Sequence, residues 1–275
     1  MPHDIPSLDT PQPFAFLPMY DWPEVRSETD RLWSLLREAL ADLGLSAPSQ
    51  LERGRELMDG WRDQTLLLGQ TCGLPLVRHL LDSVCVIGSP DYGLPGCPPG
   101  HYCSVVVVRE EDPAVSLGDL RGRRLAFNHP GSQSGEGALR HMLAPLAEGK
   151  PFFSSVMETG SHRAALKSVA AGDADAATLD AMSYRLAQAH EPAARSVRVL
   201  LATPPTPGLP MITSKANRER VPLLRQAVAA AVAAAPQDLR TALSLHGFAA
   251  FDADDYGVIA ERDRHAAALG YPVLA

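Results

Sequence analysis

Small polar residues that could bind an anion stand before a predicted helix in the middle of the chain. Ser132, Gln133, Ser134 and Gly135 follow the strand-like run RRLAFN and open the helical run SGEGALRHMLAPLA. A helix N-terminus exposes unpaired N–H groups and about half a positive charge, so hydroxyl groups there can hold an oxyanion. The same serines could instead cap the helix and bind only water. The order GSQSG is neither the G-x-S-x-G of serine hydrolases nor a P-loop, because no Gly-Lys-Ser/Thr follows.

Further polar residues stand at the ends of other predicted strands. His162, after the predicted N-cap Ser161, opens the run HRAALKSVAA and could donate a ring N–H to an anion. Asp180 ends the strand DAATLD and could accept a proton from a ligand or cap the next helix. In the N-terminal part the corresponding residues are Tyr20, Asp21, Gln70 and Thr71. Ligands of open parallel α/β sheets bind beyond the carboxyl ends of the strands, so we expect these residues to line one site.

Short β-rich runs alternate with helical patterns through most of the chain. The predicted strands are PFAFLPMY, TLLLGQTC, SVCVIGS, HYCSVVVVR, RRLAFN, FFSSVMET, DAATLD and SVRVLLAT. A helix is predicted from about Pro23 to Leu43, and the C-terminal third from about Asn217 reads as helices that Pro236 interrupts. This alternation predicts an α/β fold with mostly parallel sheets flanked by helices.

The length of 275 residues and the pattern together favour two α/β lobes. Hydrophobic strands lead into charged or Pro/Gly-rich chain at VVVVREEDP and LLATPPTPG, so we expect the chain to cross between lobes near 105–110 and 201–208. Residues 1–106 and 204–275 would then form a discontinuous first lobe, and residues 107–203 an inserted second lobe. A single continuous sheet is the alternative that the pattern leaves open.

The composition is that of an ordinary soluble protein, with 45% hydrophobic and 21% charged residues. The formal net charge of −7 argues against a protein that coats nucleic acid or an anionic membrane. The first ten residues, MPHDIPSLDT, lack the basic start and apolar run of a secretory signal. We therefore predict no membrane insertion and, from this chain alone, a cytoplasmic location.

The four cysteines, Cys72, Cys85, Cys97 and Cys103, are too few for a disulfide scaffold in a chain of this length. Reduced thiols are expected, with a Cys72–Cys97 disulfide as the alternative in an oxidising compartment. Cys97, His101 and Cys103 lack a second ligand pair at the usual zinc spacing, so neither a metal nor a cofactor is predicted.

Two segments resemble a known family. NHPGSQSGEGALR and, some way downstream, ETGSHRAALKSVAAGDADAATLD resemble the phosphate/phosphonate substrate-binding proteins of ABC transporters. The looser resemblance extends from about Phe14 to Ala250. It implies a type II periplasmic-binding-protein fold with the ligand cleft between the lobes, a permease as partner, and a periplasmic location.

The resemblance also implies roles for individual residues. Ser132 and Ser134 stand where the family has a Ser-Thr-Ser type cluster for the phosphonate oxygens, and Gln133 departs from that pattern. His162 matches the histidine that contacts the oxyanion. Further contacts are implied for Asp180, near the other end of the ligand, and Tyr20, an aromatic residue of the first lobe that closes over it.

The leading hypothesis is a solute-binding protein that closes its lobes over a small oxyanion, most simply a phosphonate or phosphate compound. An alternative is a cytoplasmic enzyme that uses the same cleft for cofactor-precursor chemistry. The only acid–base set for that reading would be His162 with Asp180 or Asp21. A third reading is a cytoplasmic ligand sensor, which would need a partner protein because no DNA-binding helix-turn-helix is visible.

Overall fold

The computed structural model describes residues 12–275. The first ten residues, on which the predicted absence of a secretory signal rests, lie outside the described residues. The strands are β1 (Phe14–Phe16), β2 (Leu66–Gln70), β3 (Val84–Asp91), β4 (His101–Tyr102), β5 (Ser104–Arg109), β6 (Arg124–Phe127), β7 (Ser155–Glu158), β8 (Ala176–Asp180), β9 (Val197–Ala202), β10 (Thr206–Pro207), β11 (Met211–Ser214) and β12 (Gly247–Ala249). The helices are α1 (Arg26–Asp42), α2 (Leu57–Arg62), α3 (Gly73–Pro75), α4 (Ala138–Ala147), α5 (His162–Ala171), α6 (Ala181–His190), α7 (Val221–Ala234), α8 (Gln237–Ala242) and α9 (Gly257–Ala268). Among residues 12–275, no helix combines the length and the apolarity needed to cross a bilayer.

Two five-stranded sheets form the centres of two lobes, which confirms the α/β class. The first sheet has the order β1-β2-β11-β3-β12 and the second the order β7-β6-β8-β5-β9. The sheets are mixed and not mostly parallel as predicted. Among the described strands, only the pairs β1–β2, β6–β7 and β6–β8 are parallel. The pairs of β11 with β2 and β3, and of β5 with β8 and β9, are antiparallel because β11 and β5 each receive the chain from the other lobe. They therefore start at the edge where their neighbours end, as the pairs Met211–Gln70 and Ser104–Asp180 show.

Two short strands carry the chain between the lobes. β4 and β10 pair antiparallel, with Tyr102 opposite Thr206. β5 begins at Ser104 and pairs with β8 and β9 as far as Arg109. The predicted boundary between residues 106 and 107 therefore falls inside a strand of the second sheet. The first crossing lies at 101–103, ahead of the predicted 105–110, because the valine run is the buried centre of that sheet and not a connection.

The C-terminal segment corrects the predicted extent of the first lobe, 204–275. α9 packs against α4 of the second lobe, where the Arg140 guanidinium hydrogen-bonds to the Asp263 carboxylate. The Ala275 carbonyl accepts hydrogen bonds from the backbone N–H groups of Phe152 and Phe153 at 2.7 and 3.0 Å. These residues leave the first lobe because their apolar side chains are buried in the core of the second: Ala266, Tyr271 and Leu274 lie with Leu139, Leu143 and Phe152.

Helix ends with strong local signals lie where the sequence predicts them. Ser161 caps α5 by accepting a hydrogen bond from the Ala164 N–H, and Gly172 ends that helix in the left-handed conformation with a φ of 83°. By contrast, α2 and β12 were not predicted. α2 is held in place by Trp61, whose indole N–H donates to the Gln70 carbonyl at 2.9 Å.

Candidate functional site

A cleft of about 820 Å³ lies between the lobes, at the carboxyl ends of the strands. The second lobe contributes mainly polar residues, and the first lobe contributes mainly apolar ones. The second-lobe lining is Asn128, His129, Pro130, Gly131, Ser132, Ser134, Gly160, Ser161, His162, Arg163, Asp180 and Ser183. The rest of the lining is Pro18, Met19, Tyr20, Trp22, Glu56, Leu57, Met58, Trp61, Arg62, Cys72, Pro75, His79 and Leu209.

The two serines and a histidine form a connected polar group on the second-lobe wall. The chain after β6 turns at Ser132 and enters a wide helical turn, Gln133–Gly137, that continues as α4. Ser132 Oγ accepts hydrogen bonds from the Gly135 N–H and from Asn128 Nδ2, both at 3.1 Å. Ser134 Oγ lies 3.0 Å from His162 Nε2 and 3.4 Å from Ser132 Oγ. This arrangement gathers hydroxyl groups at the start of a helix, where an oxyanion is stabilised.

His162 is a neutral group at physiological pH. Burial lowers its pKa to about 3, and the neighbouring His129 adds to that shift. A neutral imidazole carries one N–H. When that proton is on Nε2, the ring donates to Ser134 Oγ, and the Ser134 hydroxyl hydrogen is then free for a ligand oxygen. Any anion held here is therefore held by dipoles and hydrogen bonds, not by a cationic histidine.

Asp180 and Tyr20 meet across the cleft. The Tyr20 hydroxyl, from the first lobe, donates to Asp180 Oδ2 at 2.9 Å, and Asp180 Oδ1 accepts from the Ser183 N–H at 2.8 Å. Asp180 is only 2% exposed, and burial raises its pKa to about 6. Burial and the nearby carboxylate also raise the pKa of Tyr20 well above its usual value. Both Asp180 oxygens already have donors, and Asp180 also has the predicted capping role, at the start of α6.

Other side chains also join the lobes beside the cleft. Arg163, in the first turn of α5, forms an ion pair with Glu24 of the first lobe at 2.8 Å and lies over the Trp22 ring at 4.8 Å. On α6, Arg185 Nη1 donates to the Tyr92 carbonyl at 2.6 Å. The lobes thus already touch on more than one side of the cleft.

Six of the residues singled out in the sequence line this cleft, and five do not. The six are Ser132, Ser134, Ser161, His162, Asp180 and Tyr20. Asp21 is held away by Arg53, whose Nε lies 2.6 Å from its carboxylate. Gln70 donates to the Tyr92 hydroxyl at 3.2 Å, and Thr71 is fully buried beneath Pro210, to whose carbonyl its N–H donates.

Gln133 and Gly135 support the serine cluster from behind. The Gln133 N–H donates to the Cys72 thiol at 3.2 Å, and its side chain is 2% exposed and turned toward Gly137. A Cβ on Gly135 would lie 1.7 Å from Asn128 Oδ1. Gly135 is therefore required for Asn128 to reach Ser132. The departure of Gln133 from a hydroxyl residue leaves the cleft lining unchanged, because that side chain does not enter it.

Several lining residues were not singled out in the sequence. Asn128 directly follows β6 and could have been found by the same rule, that residues at strand ends line the site, which selected Asp180. Met58 and Trp61 lie on α2, a helix of six residues that is too short to show a helical period. Met19 and Trp22 flank the predicted Tyr20 and Asp21, but apolar residues gave no signal of a binding role.

The cysteines and histidines form no metal site in the part of the chain that the structure covers, where no group of three or more His, Cys, Asp or Glu side chains is suitably placed. All four thiols are unbridged. The alternative Cys72–Cys97 disulfide is not formed: the Cys72 thiol accepts from Gln133, and the Cys97 thiol is hydrogen-bonded with that of Cys103.

Solved structures with the same fold include several binding proteins. PhnD1 from Prochlorococcus marinus, in complex with methylphosphonate, matches with a TM-score of 0.72 and 18% identity over 93% of this chain and 98% of its own. XAC2383 from Xanthomonas citri, bound to ATP, matches with a TM-score of 0.67 and 16% identity over 94% and 98%. The binding protein PA3383 of a Pseudomonas aeruginosa phosphonate transporter matches with a TM-score of 0.67 and 16% identity over 94% and 88%. At such identities the likeness establishes the two-lobed periplasmic-binding fold alone.

The sequence itself matches a family model over residues 74–256, which is more than half of the chain. The family is described as the periplasmic substrate-binding protein of phosphonate ABC transporters. A comparison with curated proteins gave no significant match. The matched segment contains the serine cluster, His162 and Asp180. The chain therefore belongs to the phosphonate-binding family of periplasmic ABC-transporter substrate-binding proteins, a family of binding proteins and not of enzymes.

Proposed function

We propose that this protein binds a phosphonate or phosphate compound in the interlobe cleft and closes its lobes over it. The observation that carries the proposal is the group formed by Ser132, Ser134 and His162 at the start of a helix, which faces Tyr20 on the opposite lobe. The Ser132 and Ser134 hydroxyls can donate to a ligand oxygen, and His162 frees the Ser134 hydroxyl hydrogen by donating to its oxygen. The positive end of the helix dipole adds to the attraction for an oxyanion. The complex of PhnD1 with methylphosphonate supports the same ligand class.

The biological role follows from the family. A substrate-binding protein hands its ligand to an ABC-transporter permease, so a permease is the expected partner. The enzyme alternative does not describe this family, and in the structure His162 bonds to Ser134 while Asp180 bonds to Tyr20. The sensor alternative stays a prediction. The family description places its members in the periplasm, and the prediction of a cytoplasmic chain has no support from it.

The direct test is calorimetric titration with phosphate, methylphosphonate and sulfate, supported by thermal unfolding. A ligand present at 100 times its dissociation constant adds about 2.7 kcal/mol to the free energy of unfolding. Ser134→Ala should lower the affinity at least tenfold, because it removes a hydroxyl donor and leaves His162 without its partner. Ser168→Ala is the matched control, since Ser168 lies on α5 outside the cleft lining and its hydroxyl donates to the Ala164 carbonyl of the same helix.

Closure is tested separately by small-angle X-ray scattering with and without ligand. The contacts of Tyr20 with Asp180 and of Arg163 with Glu24 correspond to a closed form, so on binding the radius of gyration should fall to the value of this structure. Absence of binding by all three anions would refute the proposed function. Equal affinities of wild type and Ser134→Ala would place the anion elsewhere.

A further inference from the structure

The two walls of the cleft differ in chemistry. Binding of an oxyanion accounts for the polar residues of the second-lobe wall but not for the apolar residues of the first-lobe wall. On the first lobe, six large apolar side chains line the cleft: Met19, Trp22, Leu57, Met58, Trp61 and Leu209. Phosphate or a very small phosphonate would leave this wall facing water. Apolar lining with a few polar groups is the usual composition of sites for organic ligands.

We infer that the ligand is a phosphonate or phosphate ester with an apolar alkyl or aryl group, and that this group packs against Met19, Met58 and Trp22. This inference rests on the proposed function, which supplies the site of the oxyanion. The oxyanion at Ser134 and His162 would direct the rest of the molecule toward the opposite wall. The ligand's two chemical halves would thus match the two lobes.

The size of the cleft supports a ligand larger than an inorganic ion. Its volume of about 820 Å³ falls in the range of roughly 300–1,000 Å³ that holds drug-sized molecules. The lobes are already joined through Tyr20 and Asp180, and through Arg163 and Glu24. The cleft therefore keeps this volume even though the two lobes are in contact next to it.

The apolar wall combines a fixed frame with adaptable side chains. Trp61 is 3% exposed and anchored by its bond to the Gln70 carbonyl, and a Cβ on the adjacent Gly60 would lie 2.8 Å from the Phe16 ring. The backbone of α2 is thus tightly packed against β1. Met58 and Met19 are partly exposed, and the flexible thioether of methionine can adapt to organic groups of different shape.

The charges in the cleft favour an apolar group over an amine. Asp180 and Glu56 are the acidic residues of the lining. Both Asp180 oxygens have donors, from Tyr20 and Ser183, and Glu56 is exposed at the end of α2. A ligand ammonium group near Asp180 would therefore meet a carboxylate whose oxygens already have donors, and Glu56 lies at the exposed rim, where water screens its charge.

The test is a titration series in which only the organic group changes. Methylphosphonate, propylphosphonate, phenylphosphonate and 2-aminoethylphosphonate are compared by calorimetry, with benzyl alcohol as an uncharged control. Each methylene that becomes buried should tighten binding about fourfold, so propylphosphonate, with two more methylenes, should bind about fifteenfold more tightly than methylphosphonate. The aminoethyl compound should bind more weakly than the propyl compound, and benzyl alcohol should not compete.

Substitution in the apolar wall tests whether the first lobe binds the organic group of the ligand. Met58→Ala should reduce the ratio of propyl to methyl affinity by about threefold or more. Met58→Gln keeps the side-chain length and should act in the same direction. Met142→Ala is the matched control, because Met142 packs on the core of the second lobe away from the cleft.

The outcomes separate the two levels of the proposal. If methylphosphonate binds as tightly as the propyl and phenyl compounds, or the aminoethyl compound binds most tightly, the apolar ligand class is refuted while the oxyanion site stands. A propyl-to-methyl ratio that Met58→Ala and Met58→Gln leave unchanged would also refute it. Failure of every phosphonate and of phosphate to bind would refute the proposed function itself.

Discussion

The buried carboxylate of Asp180 is predicted to destabilise the folded protein at neutral pH. Its pKa is raised from 3.8 to about 6 because the side chain is buried at the floor of the cleft. One pKa unit corresponds to about 1.36 kcal/mol, so the shift costs about 3 kcal/mol once the group is ionised. Below about pH 4 the carboxyl is protonated in both states and the cost disappears. Between about pH 4 and 6 only the unfolded state releases the proton, so this contribution to stability falls as the pH rises.

Asp180→Asn removes the charge and keeps the shape. The Asn carbonyl can still accept from the Ser183 N–H, and its amide can donate to the Tyr20 hydroxyl. We expect the variant to be more stable than wild type at pH 7.5 by about 1–3 kcal/mol, or roughly 2–4 °C in melting temperature for each kcal/mol. The difference should shrink toward zero as the pH approaches 4.

The assay is thermal and urea unfolding of both proteins at half-unit steps from pH 4 to 8. Asp173→Asn is the matched control, because Asp173 is an exposed aspartate in the turn after α5. Its pH profile should follow that of wild type. An Asp180→Asn profile parallel to wild type across the whole range, or one below it at pH 7.5, would show that burial of the carboxylate does not carry this cost.

Three further predictions concern the serine cluster, the histidine and the C-terminus. Gly135→Ala should weaken phosphate binding about tenfold and lower the melting temperature, because the new Cβ would force Asn128 away from Ser132. Calorimetric and thermal profiles like those of wild type would contradict this packing argument. In an NMR titration the His162 ring resonances should not shift between pH 5 and 8, because the pKa is lowered to about 3 and the ring stays neutral throughout. The resonances are assigned by their loss in His162→Gln, and a titration midpoint near 6.5 would refute the neutral histidine. Leu274→Ala should destabilise the protein by about 2–4 kcal/mol in urea unfolding, because Leu274 is buried in the core of the second lobe, whereas Val273→Ala, at a position 57% exposed, should have little effect.

The parts of the fold that depend on neighbouring residues were predictable from the sequence. Ser161 and Gly172 delimit α5 as expected because a cap and a left-handed glycine act within one turn. The serine cluster, His162 and Asp180 come together because each follows a parallel strand of the second sheet. The same rule placed Gln70 and Thr71 incorrectly, because β11 covers the end of β2 and its preceding residue Pro210 buries Thr71.

The remaining errors involve partners distant in the sequence. Asp21 is withdrawn by Arg53, thirty-two positions along the chain, and nothing in the local sequence of either residue indicates the pair. The helical pattern of α9 says that one face is buried but not which lobe buries it. Only the tertiary structure shows Ala266 and Leu274 in the second-lobe core, and this moves the C-terminal segment away from its predicted lobe.

The formal charge of −7 does not oppose an anion site of this kind. The proposed donors are the hydroxyls of Ser132 and Ser134, the latter supported by a neutral His162, so the attraction comes from dipoles fixed within a few ångströms of the ligand. Such donors act at hydrogen-bond distance inside the cleft, whereas charges on the outer surface are screened over about 8–10 Å at physiological salt. Tyr20 and Ser183 also supply donors to both oxygens of Asp180, so its carboxylate is compensated locally. Net charge therefore governs what the whole surface attracts, and the arrangement of donors at one helix start governs what the cleft can hold.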